Sequence, residues 1–281
     1  MSSSPQITKK SEPAHPAHPA ITFAINCRNA MRDEFRPTAS LNSVALSKLN
    51  VKCTQFDLDS GTPNDGGPKV LEPKPLEEMN AIAKRNKLMA LNVVASIGEF
   101  SSGPYYTAET LGAFFFRDHI LEGPDEPSDE ILPELGSWEF VPKNHQFVSE
   151  EGVEWRAEFT LYSRDKSMLD AVRFLPHTTP FKHDELLFSE LWCILATSGS
   201  RLAEKKEHEP DEIAPVTIVS ACGRDLRVVQ GYIHDDKAWV RMSEVVNTDD
   251  DDKQVNLDRL LKVAAWFLGT PCRYRVEAIC T

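Results

Sequence analysis

Long apolar runs are absent from this sequence: nowhere do about 18 consecutive residues stay hydrophobic, which excludes a membrane-spanning helix. The six cysteines form no CxxC pair and show no spacing suited to zinc. Because no hydrophobic secretory segment precedes the rest of the chain, an even cysteine count in 281 residues is typical of reduced thiols. We therefore predict a soluble intracellular protein of the cytoplasm or nucleus. A mitochondrial presequence is the alternative, which Glu12, Asp33 and Glu34 oppose.

The common catalytic and nucleotide-binding motifs are missing as well. The chain contains no GxxxxGK(S/T), no GxGxxG after a strand, no GxSxG and no HExxH. Their absence excludes the commonest motif-bearing NTPases, hydrolases and zinc proteases. The sequence predicts no cofactor, and it leaves open whether the protein is an enzyme.

Acidic residues outnumber basic ones, and the two are unevenly spread. The net charge is −12, yet residues 1–56 hold seven bases against three acids. An acidic body repels phosphate backbones, so we expect a protein partner rather than a nucleic acid, unless a local basic groove exists. Residues 118–139 contain eight acids and no Lys or Arg, which indicates either a solvated loop or a docking surface for a basic partner.

Composition divides the chain into two regions. Nine of the 19 prolines precede residue 76, and residues 61–68 (GTPNDGGP) are dense in turn formers. We predict a mobile proline-rich region over 1–68 and one α/β-type globular domain over 69–281. The acidic loop at 122–150 is a possible sub-boundary within that domain.

Hydrophobic periodicity predicts the elements of the second half. Residues 153–162 alternate like a strand with one buried face, and residues 216–219 form the continuous β-branched run of a strand buried on both faces. Asp184 is a plausible cap for an amphipathic helix. The remaining predicted elements are a hairpin of strands 225–234 and 238–243, an amphipathic helix over 257–268, and a terminal strand over 274–278. This pattern indicates an α+β or mixed α/β fold, in which a mixed sheet packs against helices.

The order of elements over residues 184–281 is similar to the core of the restriction-endonuclease-like, or PD-(D/E)xK, superfamily. That resemblance implies a metal-dependent phosphodiesterase, in which acids hold a divalent cation and a lysine orients the attacking water. The candidate catalytic residues are Glu190, Asp225, Asp235, Asp236 and Lys237. The third strand reads AWVRMS and lacks the ExK of the family, so Asp225 pairing with Arg224 or Arg227, and a solvated Glu190, are the alternative interpretations.

Two segments, residues 215–227 (PVTIVSACGRDLR) and 260–273 (LLKVAAWFLGTPCR), also resemble uncharacterised proteins from filamentous fungi. This likeness implies no activity.

Five arginines on the predicted strands form a candidate binding surface: Arg224, Arg227, Arg241, Arg273 and Arg275. If their side chains converge, they would form a positive groove for a phosphate or an acidic peptide. The alternative is that they disperse into surface ion pairs with the 43 acids.

The leading functional hypothesis is a non-catalytic interaction protein that binds another macromolecule. The enzyme alternative is a divergent metal-dependent nuclease or phosphodiesterase, which would require a divalent cation.

Overall fold

The structure, a computed structural model, describes residues 18–35, 39–86, 103–121, 135–142, 155–205 and 212–273. Its strands are β1 (Ser40–Leu41), β2 (Val51–Gln55), β3 (Leu71–Glu72), β4 (Trp138–Pro142), β5 (Phe159–Ser163), β6 (Ala171–Pro176), β7 (Leu186–Leu187), β8 (Val216–Cys222), β9 (Asp225–His234), β10 (Lys237–Met242), β11 (Val246–Asn247) and β12 (Thr270–Pro271). Its α-helices are α1 (Pro19–Ala30), α2 (Ser43–Lys48), α3 (Leu76–Arg85), α4 (Pro104–Thr110), α5 (Phe188–Glu204) and α6 (Lys253–Ala264). Helices α1 and α4 continue as the π-helical segments Met31–Phe35 and Leu111–Leu121.

A large mixed sheet forms the centre of the protein. Its strand order is β2-β10-β9-β8-β6-β5-β4, with β11 paired to β9. The pairs β2/β10 and β6/β8 are parallel, and the other neighbours are antiparallel. Helices pack on this sheet, which confirms the predicted mixed α/β class.

Hydrophobic clusters lie on both faces of the sheet. One contains residues of α3 and α6 together with Val219 of β8. The other contains residues of α1, α2 and α5 together with Ile218, the preceding residue of β8. Every residue of β8 is buried. The continuous β-branched run therefore predicted correctly a strand that is covered on both sides.

The predicted hairpin is also confirmed. Strands β9 and β10 are joined by Asp235 and Asp236, whose φ angles are 51° and 54°. A two-residue connection with both central residues at positive φ suits the right-handed twist of the flanking strands, and aspartate tolerates this conformation better than most residues.

The N-terminal part of the described chain is packed into the same sheet and helix layers. Strand β2 pairs in parallel with β10, and α1 lies against α5, where the Arg28 guanidinium is 4.5 Å from the ring centroid of Trp192. The structure therefore differs from the predicted mobile region for residues 18–35 and 39–68. The proline-rich composition suggested that this region has nothing to bury, but Ala24 and Met31, among others, are buried. Residues 1–17 lie outside the described residues.

The boundaries of two other elements differ from the sequence prediction. Helix α5 begins at Phe188 rather than after Asp184, which has a left-handed φ of 61°. Strand β5 starts at Phe159, and Thr160 on the face predicted to be solvated is fully buried. The predicted terminal strand at 274–278 and most of the acidic loop at 122–150 lie outside the described residues. Within the described part of the chain, no helix is both long and apolar enough to span a membrane.

Candidate functional site

The best-defined polar cluster lies where helix α5 meets strands β8 and β9. Glu190, in the first turn of α5, is fully buried and pairs with Arg227 of β9, whose side chain is 2% exposed. Glu190 Oε1 accepts a hydrogen bond from Arg227 Nε at 2.8 Å, and Oε2 accepts a second bond from the Nη2 of the same guanidinium. Glu190 Oε2 also accepts the Leu187 backbone N–H at 2.9 Å, which caps the helix.

The loop after strand β6 closes over this ion pair. The Arg227 guanidinium donates to the Glu185 carbonyl at 3.1 Å and lies 4.7 Å from the ring centroid of Phe181. His177 begins the loop, and its Nε2 is 3.0 Å from the hydroxyl of Ser220 on β8. Both His177 and Ser220 are fully buried, so the cluster is closed to solvent.

Burial and the ion pair set the charge states in this cluster. Burial alone would raise the pKa of Glu190, but the attraction and hydrogen bonds of Arg227 outweigh it and lower that pKa. Burial lowers the pKa of His177 to about 4, against a smaller opposing effect of Glu190. At neutral pH the cluster therefore holds a compensated charge pair and a neutral imidazole. It is built to stabilise the junction of the three elements rather than to bind a cation.

The candidate nuclease residues do not converge. Asp225 and Asp235 mark opposite ends of strand β9, which at about 3.3 Å per residue separates them by roughly 30 Å. Glu190 lies near the Asp225 end, while Asp236 and Lys237 lie near the other. Among the residues described, no group of three or more His, Cys, Asp or Glu side chains is arranged to hold a metal ion.

Two of the alternative interpretations for these acids are also wrong. Glu190 is fully buried rather than solvated, because its side chain points to the sheet and forms an ion pair with Arg227 there. Asp225 pairs with neither Arg224 nor Arg227, and its Oδ1 accepts a hydrogen bond from Asn247 Nδ2 at 2.7 Å instead.

The four described arginines of the candidate surface form separate ion pairs and no shared groove. Their carboxylate partners are Asp249 for Arg224, Glu190 for Arg227, Asp65 for Arg241 and Asp165 for Arg273. The pairs of Arg227 and Arg241 are buried, whereas the side chain of Arg273 is 82% exposed. Arg275 lies outside the described residues. Dispersal into surface ion pairs is therefore correct for Arg224 and Arg273, whereas Arg227 and Arg241 form their pairs in the interior.

A different basic surface does exist at the edge of the sheet. The indole of Trp239, on β10, is partly exposed, and Lys52 is its register partner on the edge strand β2. The ring centroid of Trp239 is 4.4 Å from Lys52 Nζ and 5.5 Å from Lys237 Nζ. On the other side, the ring of Tyr232 stacks almost parallel at 6.4 Å. We call Lys52, Trp239 and Lys237 the Trp239 surface.

Neither lysine of the Trp239 surface forms an ion pair with a described residue. No carboxylate of the described chain lies within 4 Å of Lys52 Nζ or Lys237 Nζ, in contrast to the arginine pairs above. The next residue on the same face of β10 is Arg241, which Asp65 neutralises through contacts at 3.0 and 3.1 Å. The exposed Asp235 and Asp236 of the hairpin turn directly precede Lys237, so the surface carries charges of both signs at its turn end.

Of the three residues of the Trp239 surface, the sequence pointed only to Lys237, as a candidate catalytic residue. Alternation along residues 237–242 places Lys237, Trp239 and Arg241 on one face, and this signal is visible in the sequence. The proximity of Lys52 is not visible there, because it depends on the pairing of two strands about 190 residues apart in the chain.

Comparison of the chain with protein-family models, with curated proteins and with solved structures gives no match.

Proposed function

We propose that this protein is a non-catalytic intracellular interaction protein of the cytoplasm or nucleus, and that it binds a partner protein at the Trp239 surface. The observation that carries the proposal is a partly exposed indole flanked by two lysines that form no ion pair with a described residue. Tryptophan and tyrosine offer large contact areas at a small entropic cost, and they are enriched where interfaces gain most of their affinity. Unpaired cations beside such a ring orient the partner and increase its rate of association.

Charge distribution supports a protein partner over a nucleic acid. The positive charge of the two lysines is local, whereas the whole chain carries −12 and would repel a long phosphate backbone. The five described cysteines are all free, in keeping with a reducing compartment.

The nuclease alternative gains no support from the geometry. Its acids lie at both ends of a ten-residue strand, and Glu190 is already bound to Arg227. Two-metal catalysis instead requires ions about 4 Å apart with shared carboxylate ligands.

Site-specific photo-crosslinking in the cells that express the protein tests the proposal. A photoreactive amino acid replaces Thr54, a partly exposed residue of β2 on the same face as Lys52, and the same substitution at the exposed Tyr106 of α4 serves as the control. We expect a discrete protein adduct at position 54 that is absent at position 106. The adduct should fall at least fivefold when Lys52→Glu and Lys237→Glu are added, because the partner then meets two repulsive charges.

The proposal is contradicted if the adduct persists at full yield in the charge-reversed variant, or if no protein adduct forms at position 54. Circular dichroism and thermal unfolding of each variant establish that the fold is retained.

A further inference from the structure

We propose that Thr179 is an acceptor site for a protein kinase that selects a proline directly after the acceptor and a base at the third position after it. Thr179 lies in the loop at residues 178–185 (TTPFKHDE), which closes over the buried pair of Glu190 and Arg227. The inference goes beyond the proposed function and does not depend on the Trp239 surface.

A kinase recognition pattern surrounds Thr179 in the sequence. Proline has no backbone N–H, so a kinase whose binding site offers no hydrogen-bond acceptor there can select it as the following residue. Kinases of the cyclin-dependent class also bind a base at the third position after the acceptor, through anionic groups. A base stands at this position after Thr179 (Lys182) and after Thr270 (Arg273), but not after the other two acceptors that precede a proline. The four acceptors with a following proline are Ser4, Thr62, Thr179 and Thr270.

The backbone of residues 179–184 is weakly held. These residues form neither helix nor strand, and Thr179 is partly exposed. Their backbone makes one hydrogen bond to the backbone of another described residue, in which the Lys182 carbonyl accepts the Glu185 N–H at 3.3 Å. A kinase binds its acceptor in an extended segment, and a segment with so few backbone bonds can adopt that conformation at a small free-energy cost.

The side chain of Lys182 is available to a kinase. It is 64% exposed, and its Nζ lies 3.2 Å from Glu185 Oε2 and 3.3 Å from Ser40 Oγ. An ion pair this exposed contributes little to stability. Anionic groups of the kinase can therefore replace Glu185 as the partner of Lys182.

Thr270 has the same sequence pattern as Thr179, but the fold holds its backbone. Thr270 belongs to strand β12, which pairs with β3. The Cys272 N–H, two residues later, donates to the Val70 carbonyl at 3.1 Å. Extending this segment into a kinase would break these contacts, so Thr270 is a matched control for the effect of the fold.

Phosphorylation of Thr179 would change the charge of the loop that covers the buried ion pair. A phosphate group carries close to two negative charges at neutral pH. The ring centroid of Phe181 lies 4.7 Å from Arg227 Cζ and 5.0 Å from the ring centroid of His177. The new charge would therefore stand two residues from the side chain that covers Arg227.

Treatment of the full-length protein with ATP and a purified cyclin-dependent kinase tests the inference. Mass spectrometry localises the phosphate and follows the rate of its incorporation at Thr62, Thr179 and Thr270. Short synthetic peptides centred on Thr179 and on Thr270 are treated in the same way, because they have the sequence pattern without the fold.

We expect both peptides to be phosphorylated, whereas in the folded protein Thr179 should react at least tenfold faster than Thr270. Lys182→Gln should lower the rate at Thr179 at least tenfold, because it removes the base. Lys84→Gln, at an exposed lysine of α3, should leave the rate unchanged. Thr179→Val, which keeps the shape of the side chain, should remove the modification. Thermal unfolding establishes that each variant retains the fold.

Three results would overturn the inference: no phosphate at Thr179 in the folded protein, equal rates at Thr179 and Thr270 in the folded protein, or an unchanged rate in Lys182→Gln. A Thr179 peptide that the kinase does not modify would overturn it as well, because the sequence pattern would then not be recognised.

Discussion

Glu190 and Arg227 lie 37 residues apart in the sequence and form a buried ion pair with two parallel hydrogen bonds. The pair ties the first turn of helix α5 to strand β9. Both charged groups lose their hydration in the protein interior, so each buried charge is compensated only while the other is present.

Removing one partner of this pair should be strongly destabilising. We expect Arg227→Met to lower the free energy of unfolding by about 3 to 5 kcal/mol, because it leaves the Glu190 carboxylate buried without a counter-charge. The double variant Glu190→Leu with Arg227→Met should recover most of that loss. Urea denaturation measures both. As a control, Arg273→Met, which removes an exposed ion pair with Asp165, should change stability by less than about 1 kcal/mol. Equal free energies of unfolding for the wild type and Arg227→Met would show that the ion pair contributes nothing to stability.

The buried His177 should make stability depend on pH. Its pKa is about 4 in the folded protein, whereas an unfolded histidine has a pKa of about 6.5. Between these values the unfolded chain binds the additional proton, so stability is fully present above pH 6.5 and declines as the pH falls towards 4. The loss should amount to about 3 kcal/mol. In His177→Gln the loss of stability between pH 6.5 and pH 4 should be smaller than in the wild type. Urea denaturation at several pH values measures this loss. Identical pH profiles of the two proteins would contradict the prediction.

The buried Asp170 should make stability change with pH in the opposite direction to His177. Its side chain is buried, and burial raises its pKa to about 7, with a partial offset from Arg201. An unfolded aspartate has a pKa of about 3.9, so the folded protein holds the proton more tightly between pH 4 and 7. Stability should therefore decrease as the pH rises through this range. Asp170→Asn removes the titration, and its stability relative to the wild type should increase from pH 4 to pH 8. A constant difference between the two proteins would disprove this assignment.

Gly112 allows the π-helical segment to approach the sheet closely. A Cβ atom at this position would lie 2.1 Å from a ring carbon of Phe174, which is fully buried. Gly112→Ala should therefore lower the free energy of unfolding by about 1 to 3 kcal/mol through overpacking. Leucine is smaller than phenylalanine, so in the Phe174→Leu background the Gly112→Ala substitution should lower the free energy of unfolding by less. A double-mutant cycle in urea measures this coupling, and additive effects would mean that the two residues do not compete for space.

Local patterns were sufficient to predict much of the sheet. The run at 216–219 and the hairpin turn at Asp235 and Asp236 were both correct, because strand burial and turn conformation depend on residues close together in the sequence. The N-terminal segment was harder to interpret. Strand β2 has only five residues, and its stability comes from pairing with β10 rather than from its own composition.

The candidate sites depended on information that no local pattern contains. The spacing of Glu190 within its helix suggested a solvated edge, since the helix alone does not indicate that Arg227 faces it. Of the predicted arginines, Arg227 and Arg241 lie on strands, whereas Arg224 lies in a turn and Arg273 follows β12. An acid from another part of the chain neutralises each of these four.

Side-chain periodicity and turn chemistry act over a few residues, so the mixed α/β class, the hairpin and the doubly buried strand could be predicted from the amino-acid sequence. Which charges meet depends on the folded chain. The fold pairs Glu190 with Arg227 and Asp65 with Arg241, and it places Lys52 beside Trp239. Electrostatic energy depends on distance and burial in three dimensions, and both are set by strand register and helix packing between distant parts of the chain.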